Sequence, residues 1–147
     1  MSATDLSALL ADPAPGGAYF IDARDRAALV EAATALDFHV AAIDCSTVHD
    51  RDAGLAKIAD ALAFPDWFGG TWDALADCLG DLSWLQLQGE GFLLFLDHSS
   101  AWREAEPEAF TTLLDILNDA GRVWADARKP FWALLPLPTD TLATLAD

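Results

Sequence analysis

The sequence predicts an α/β domain in which a small, mainly parallel β-sheet is packed with helices. Short apolar runs of strand length alternate with longer segments in which apolar residues recur at helical spacing. The run Phe92–Leu96 is apolar at every position, which is typical of a strand buried on both faces. The length of 147 residues is that of one domain. We therefore expect a single domain over residues 1–147.

Three strands of the sheet are predicted from apolar runs of suitable length, at Val40–Ile43, Phe92–Leu96 and Phe131–Leu135. Pro136 and Pro138 are expected to end the last strand, because proline has no N–H to donate to the ladder. An extra strand is predicted at Ala18–Ile21, within an N-terminal extension of residues 1–37. The strand order, and the choice between two and three layers, stay open.

The first helices are predicted by apolar stripes that follow potential N-caps. The opening segment is a short polar lead in which a helical turn is predicted around Leu6–Leu10. One helix follows Asp22 or Asp25 and the next follows Asp50 or Asp52, because aspartate can accept hydrogen bonds from the free N–H groups of a first turn. The two stripes consist of Leu29, Ala33 and Leu36, and of Leu55, Ile58, Ala59 and Leu62.

The later helices carry comparable signals. Thr71 is a good N-cap for a helix from Trp72 to about Leu79, and a turn or short helix at Leu82–Leu85 follows it. Pro107 favours the first turn of another helix, where its missing N–H has no partner to lose. That helix ends at Gly121 or continues beyond it. The core-facing residues of the two helices are Phe68, Trp72, Leu75 and Leu79, and Phe110, Leu113, Leu114 and Leu117.

The charge balance restricts the possible partners. Asp and Glu number 24 against 8 Lys and Arg, so the net charge is −16 and the pI is about 4.1. Nucleic-acid binding needs a cationic footprint, and an anionic membrane surface would repel this chain, so we expect neither as a partner. The expected partner is cationic.

The remaining composition points to an intracellular protein without a cofactor. Cys45 and Cys78 are too few for a disulfide framework and are expected to be reduced, buried thiols. We see no basic leader segment and no apolar run long enough to span a bilayer, so a cytoplasmic location is expected. The three histidines are scattered, and we expect no metal site and no other cofactor.

An acidic helix is the most informative segment of the sequence. No basic residue lies between Lys57 and Arg103. On the helix after Thr71, Asp73 and Asp77 are one turn apart, so their carboxylates share a face. Two interpretations of this face are open at this point: a solvated polar surface, or an anionic surface that substitutes for phosphate in a cationic site.

The segment around this helix resembles the signature of the barstar family. Phe64–Leu79 has a proline, an acidic residue, two aromatics and a glycine, then a helix opening with Thr, Trp and Asp-Ala-Leu, where the family usually has Asn before the apolar residue. Leu82–Leu85 continues the match, and the later elements follow the family's order over about residues 38–136. The resemblance implies a barstar-like α/β fold and a small intracellular inhibitor of a secreted ribonuclease.

The resemblance also implies a set of partner-binding residues. The aromatic pair and the glycine after it are matched by Trp67, Phe68 and Gly69, and the two carboxylates of the binding helix by Asp73 and Asp77. Three positions differ from the best-known member: Thr71 replaces Asn, Ala76 replaces a large aromatic, and Phe68 lacks a phenolic hydroxyl. An acidic residue late in the following long helix is matched by Asp119.

The main hypothesis is therefore a non-enzymatic inhibitor that is monomeric when free and binds a basic ribonuclease, barnase-like or related. An Asp carboxylate can accept the charge-assisted hydrogen bonds that a ribonuclease site offers to phosphate. One alternative is an acidic immunity or interaction module for a different basic toxin or partner. The other is a hydrolase that uses Asp73 and Asp77 as an acid–base pair.

Overall fold

The computed structural model describes residues 3–66, 68–82 and 90–146 of the chain. These residues form four strands, each followed by one or two α-helices, with a further α-helix before the first strand and a 3₁₀ turn at Ala23–Asp25 after it. The strands are β1 (Gly17–Asp22), β2 (His39–Asp44), β3 (Phe92–Asp97) and β4 (Phe131–Leu137). The helices are α1 (Ala3–Ala11), α2 (Arg26–Ala35), α3 (Arg51–Ala61), α4 (Trp72–Leu79), α5 (Ser100–Ala105), α6 (Pro107–Asp126) and α7 (Thr139–Ala146).

The four strands form one sheet in the order β1-β4-β3-β2, and all three neighbouring pairs are parallel. This confirms the predicted α/β class, the three strands within the family-like region and the extra N-terminal strand. The outer strand β1 pairs with β4 in a register that places Gly17 opposite Trp132. The central strands β3 and β4 are almost wholly buried, as expected for parallel strands covered on both faces.

Helices cover both faces of the sheet, so the described chain has three layers. Side chains of a strand alternate between the two faces. On one face, Leu93 and Phe95 of β3 and Trp132 and Leu134 of β4 pack against α1 and α2. On the other face, the alternate residues of β2, β3 and β4 pack against α3, α4 and α6, together with Trp102 of α5. The sheet thereby fixes α3, α4 and α6 as neighbours on a single side.

Three sequence expectations about element bounds need correction or completion, and two helices are additional to those predicted. A full helix, α1, replaces the single predicted turn, because Leu6 and Leu10 lie on the sheet with Trp132, whose Nε1 donates to the carbonyl of Leu10 at 3.0 Å. Pro136 does not end β4. The β3–β4 pairing stops at Phe95 and Leu134, so Pro136 lies where β4 pairs only with β1. The helix α6 continues past Gly121, and α5 and α7 had no prediction.

The described helices include none that is both long and apolar enough to cross a membrane.

Candidate functional site

A tight turn positions the start of α4. The chain leaves α3 through Ala63, whose φ of 51° is left-handed, and Phe64 N–H then donates to the carbonyl of Ala59 at 2.9 Å. The N–H of Phe68 donates to the carbonyl of Pro65 at 3.0 Å, and the rings of Phe64 and Phe68 meet edge to face at 4.9 Å. Phe68 is half-buried against the core, and this contact stabilises the turn.

Thr71 caps α4 as predicted. Its backbone is extended, and its Oγ1 accepts a hydrogen bond from the N–H of Ala74 at 3.1 Å. Gly70, just before it, has a φ of 69°, which a glycine adopts without strain. Asp73 lies in the first turn, where the free N–H groups of the helix favour a negative charge. The sequence therefore fixes where α4 begins and which way its first carboxylate faces.

The two faces of α4 have different surroundings. Leu75, Cys78 and Leu79 are buried in the core. Asp73, Ala76 and Asp77 are exposed, so the two carboxylates lie one turn apart on the outer face. Because the inner face is anchored, the outer carboxylates are carried by a rigid element rather than by a loop.

The long helix α6 packs beside α4 and carries the third predicted carboxylate. Trp124 donates its Nε1–H to the carbonyl of Leu79 at 2.7 Å, which satisfies a carbonyl at the end of α4. Asp119 is exposed, one to two turns earlier on α6. Its carboxylate forms an ion pair with Arg122, which is also exposed. A cation of the chain's own therefore already contacts Asp119.

A groove adjoins the start of α4. It holds about 500 Å³ and lies between α3 and the turn of residues 68–70. Two carboxylates and an apolar floor line it, contributed by Asp52, Leu55, Ala56, Ala59, Asp60, Phe68, Gly69 and Gly70. The sequence does not indicate this groove, because its shape depends on how the turn after α3 folds back over that helix. The only sequence signal was the repeat of acidic residues and alanines along the outer face of α3.

The site residues of the sequence analysis are distributed as follows. Thr71, Asp73, Ala76 and Asp77 are exposed on α4, Gly69 is exposed before it, and Asp119 is exposed on the neighbouring α6. Phe68 is partly buried, so it supports the turn as well as presenting an edge to solvent. The predicted residues Trp67 and Ser83–Leu85 lie outside the described residues.

The larger clefts do not enclose the carboxylate pair. Four clefts of the described residues hold about 330 to 700 Å³, and neither Asp73 nor Asp77 lines any of them. The largest lies elsewhere, at the carboxyl ends of the strands, where Arg26 donates to both oxygens of Asp97 at 2.9 and 2.7 Å. An exposed pair on a helix suits contact with a protein surface better than it suits enclosure of a small substrate.

Both cysteines are free and buried, as predicted. Burial raises the pKa of the Cys45 thiol to about 12, with smaller contributions from Asp44 and Asp97. Burial also raises the pKa of Cys78, and Asp77 and Asp81 add to the effect. A thiol with a raised pKa carries little of the reactive thiolate at neutral pH. Among the described residues, no group of three or more His, Cys, Asp or Glu side chains is arranged to hold a metal ion.

A family model described as Barstar (barnase inhibitor) matches residues 38–136. A search of curated proteins gave no significant match. The matched region contains α3, the turn, α4 and α6, and therefore the elements that carry Asp73, Asp77 and Asp119, whereas α1, β1 and α2 precede it. The match covers more than half of the sequence, and with it the chain belongs to the barstar family, whose description as barnase inhibitors implies a ribonuclease-inhibitor-type role.

Proposed function

We propose that this chain inhibits a basic ribonuclease in the cytoplasm by covering the enzyme's cationic active site with the outer face of α4. Asp77 is the central contact. Asp73, Ala76 and Thr71 on the same helix, the turn Trp67–Gly69 before it and Asp119 on α6 complete the contact surface. The family's description supports the class of partner.

One observation carries the proposal: the exposed pair of carboxylates on an anchored helix. A ribonuclease must hold a phosphodiester, so its site presents lysine, arginine and histidine donors. Asp73 and Asp77 offer acceptor oxygens without having to become ordered first, because the opposite face of α4 is buried. The net charge of −16 adds attraction at longer range and accelerates encounter with a cationic enzyme.

The same observation favours inhibition over catalysis by the chain itself. None of the four clefts above encloses the two carboxylates, so none of them orients a small substrate against the pair. A protein partner would instead bring its own concave site to the helix. This arrangement keeps water away from the ion pairs only when the two proteins are bound.

The direct test measures RNA hydrolysis. Barnase and a panel of other basic ribonucleases secreted by bacteria are assayed with a fluorogenic RNA substrate while the chain is titrated in. We expect stoichiometric inhibition of at least one enzyme and no RNA hydrolysis by the chain alone. Unchanged activity of every enzyme in the panel would contradict the proposal, and would favour a basic partner of another kind.

Asp77→Ala is the decisive variant. Asp77 is exposed and lies beyond the first turn of α4, so the free energy of unfolding should change by no more than about 0.5 kcal/mol. Inhibition should weaken by about 2–5 kcal/mol, because a cation of the enzyme would be buried without its partner. Denaturant unfolding and an inhibition titration measure the two quantities on the same preparation.

Glu31→Ala is the matched control for Asp77→Ala. Glu31 is exposed on α2, on the opposite side of the sheet, and its loss changes the net charge equally. We expect Glu31→Ala to inhibit like the parent chain. If Asp77→Ala also inhibits like the parent, Asp77 is not part of the contact surface.

A further inference from the structure

The groove beside the start of α4 has the shape and chemistry of a receptor for one side chain. Asp52, Ala56 and Asp60 are spaced four residues apart on α3, so they form a line along its outer face. At 1.5 Å per residue, the two carboxylates are about 12 Å apart along the helix, with small side chains between them. The groove of about 500 Å³ occupies this interval.

The floor and the ends of the groove differ in polarity. Leu55, Ala56, Ala59 and the ring of Phe68 provide apolar contact area. Lysine and arginine side chains combine an apolar stem with a cationic head, and bury the stem along apolar surface while the head finds a carboxylate or water. A basic side chain fits this combination, whereas an acidic one would be repelled and a purely apolar one would leave the carboxylates unused.

The two carboxylates of the groove are not equally available. Asp52 already forms an ion pair with Arg51 at 3.1 Å. Asp60 has no ion pair among the described residues. Asp60 is therefore the carboxylate that an incoming cation would meet without displacing another.

Two glycines open the groove toward the outer face of α4. A Cβ built on Gly69 or Gly70 would meet no atom of the described residues within 4 Å apart from its own chain neighbours, so the described rim is low on this side. Both glycines immediately precede Thr71, the N-cap of α4. These two glycines therefore place no side chain of their own between a partner seated on α4 and the groove.

We propose that a lysine or arginine side chain of the inhibited ribonuclease enters this groove, with its stem on Ala56 and Ala59 and its cationic head at Asp60. The inference rests on the proposed function and extends the contact surface from α4 to α3. Asp60 would then help to select the partner. An enzyme would gain affinity from the groove only if it has a basic side chain as far from its active site as the groove is from the outer face of α4.

Two variants and two matched controls test the groove with a ribonuclease that the parent chain inhibits. Ala56→Trp fills the groove from an exposed position, and Ala28→Trp places the same side chain at an exposed position of α2. Asp60→Asn removes the carboxylate, and Glu31→Gln removes an equal charge from α2. We expect Ala56→Trp and Asp60→Asn to weaken inhibition at least about tenfold, mainly through faster dissociation, and the two controls to leave it unchanged.

Pairing Asp60→Asn with alanine substitutions of the enzyme's basic residues identifies the occupant. One lysine or arginine should lose much of its effect on affinity once Asp60 is replaced, which is the signature of a direct contact. If Asp77→Ala weakens inhibition while Ala56→Trp and Asp60→Asn match their controls, the groove is not used and the proposed function stands. If Asp77→Ala, Ala56→Trp and Asp60→Asn all inhibit like the parent chain, neither the outer face of α4 nor the groove contacts the enzyme, and both proposals are wrong.

Discussion

At the scale of single residues, the ion pair between Asp119 and Arg122 has the clearest bearing on binding. Both side chains are exposed, so the pair contributes little to stability. Arg122 nevertheless places a positive charge on α6, next to the exposed carboxylates of the proposed contact surface. Under the proposed function, Arg122 would compete with the ribonuclease for Asp119 and repel it at longer range.

Arg122→Ala should bind the ribonuclease faster and more tightly than the parent chain. The expected gain in affinity is a few-fold, in line with the small energies of exposed charge pairs. Association rates at low and high salt measure it, since the gain should shrink as salt screens the charge. Arg24→Ala is the control, because Arg24 is also exposed and paired with an aspartate, Asp22, at the end of β1. Equal gains in the two variants would assign the effect to net charge alone.

The Cys45 thiol should make stability fall at high pH. Burial raises its pKa from 9.0 to about 12, so the folded protein keeps it protonated after an unfolded chain has lost the proton. The contribution to stability is fully present below pH 9 and is lost as the pH rises from 9 toward 12. Between pH 8 and pH 10, the free energy of unfolding of the parent chain should fall by about 1 kcal/mol more than that of Cys45→Ala. Parallel pH profiles of the two proteins would contradict this.

At the scale of elements, the contact between α3 and α5 explains a glycine inside a helix. A Cβ on Gly54 would overlap the ring of Trp102, which is buried and packed edge to face on Phe110 at 5.6 Å. Trp102 cannot move aside without disturbing the core. The glycine therefore permits α5 to lie against α3, at the expense of helix propensity.

Gly54→Ala should destabilise the protein, although alanine favours a helix by about 0.5–1 kcal/mol over glycine. Overpacking against Trp102 should outweigh this gain and give a net loss of about 1–3 kcal/mol in the free energy of unfolding. Thermal and denaturant unfolding measure the loss. Adding Trp102→Phe should recover part of it, because the smaller ring vacates the space of the new methyl group. A more stable Gly54→Ala variant would show that the ring can shift freely.

Elements with strong local signals could be predicted from the sequence, and those that depend on distant contacts could not. Thr71, with its capping hydroxyl, and the apolar run Phe92–Leu96 carry their own signals, so α4 and β3 begin close to where the sequence predicts. The short helix α5 depends on the space beside Gly54, and the extension of β4 through Pro136 depends on where its pairing with β3 ends. Neither condition is visible along the chain.

The candidate site likewise has parts that local sequence signals predict and parts that depend on how elements pack. The exposed positions of Asp73 and Asp77 follow from helical spacing and from the apolar residues on the opposite face of α4. The neighbourhood of Asp119 depends on how α6 packs on α4, and its partner Arg122 was not anticipated. The groove beside Asp60 arises only when the turn of residues 68–70 closes over α3.

At the scale of the whole molecule, the N-terminal elements cover a face of the sheet that the family-matched region cannot cover. Leu93, Phe95, Trp132 and Leu134 belong to that region and point toward α1 and α2. Without those helices, four large apolar side chains would face water. We therefore propose that residues 1–37 and the family-matched region unfold as one unit.

Deletion of residues 1–37 should leave a protein that is unstable or aggregates. Binding of a hydrophobic dye and loss of a cooperative thermal transition measure this exposure. A milder change tests the same packing in the intact chain: Leu29→Ala, on α2, should lower the free energy of unfolding by about 2–5 kcal/mol through a single cooperative transition. A deletion variant that unfolds like the parent would show that the N-terminal elements are an independent addition.

The strand order also determines when the sheet can be completed during synthesis. Among the described strands, β1 is made first, and β4, the one strand that pairs with it, is made last. The ribosome therefore releases β1, α1 and α2 long before their binding surface on β4 exists. Contacts between such distant parts of a chain slow folding and lengthen the exposure of apolar surface. In a newly made molecule, β1 therefore cannot join the sheet until β4 has emerged, whereas α1 and α2 can already contact Leu93 and Phe95 of β3.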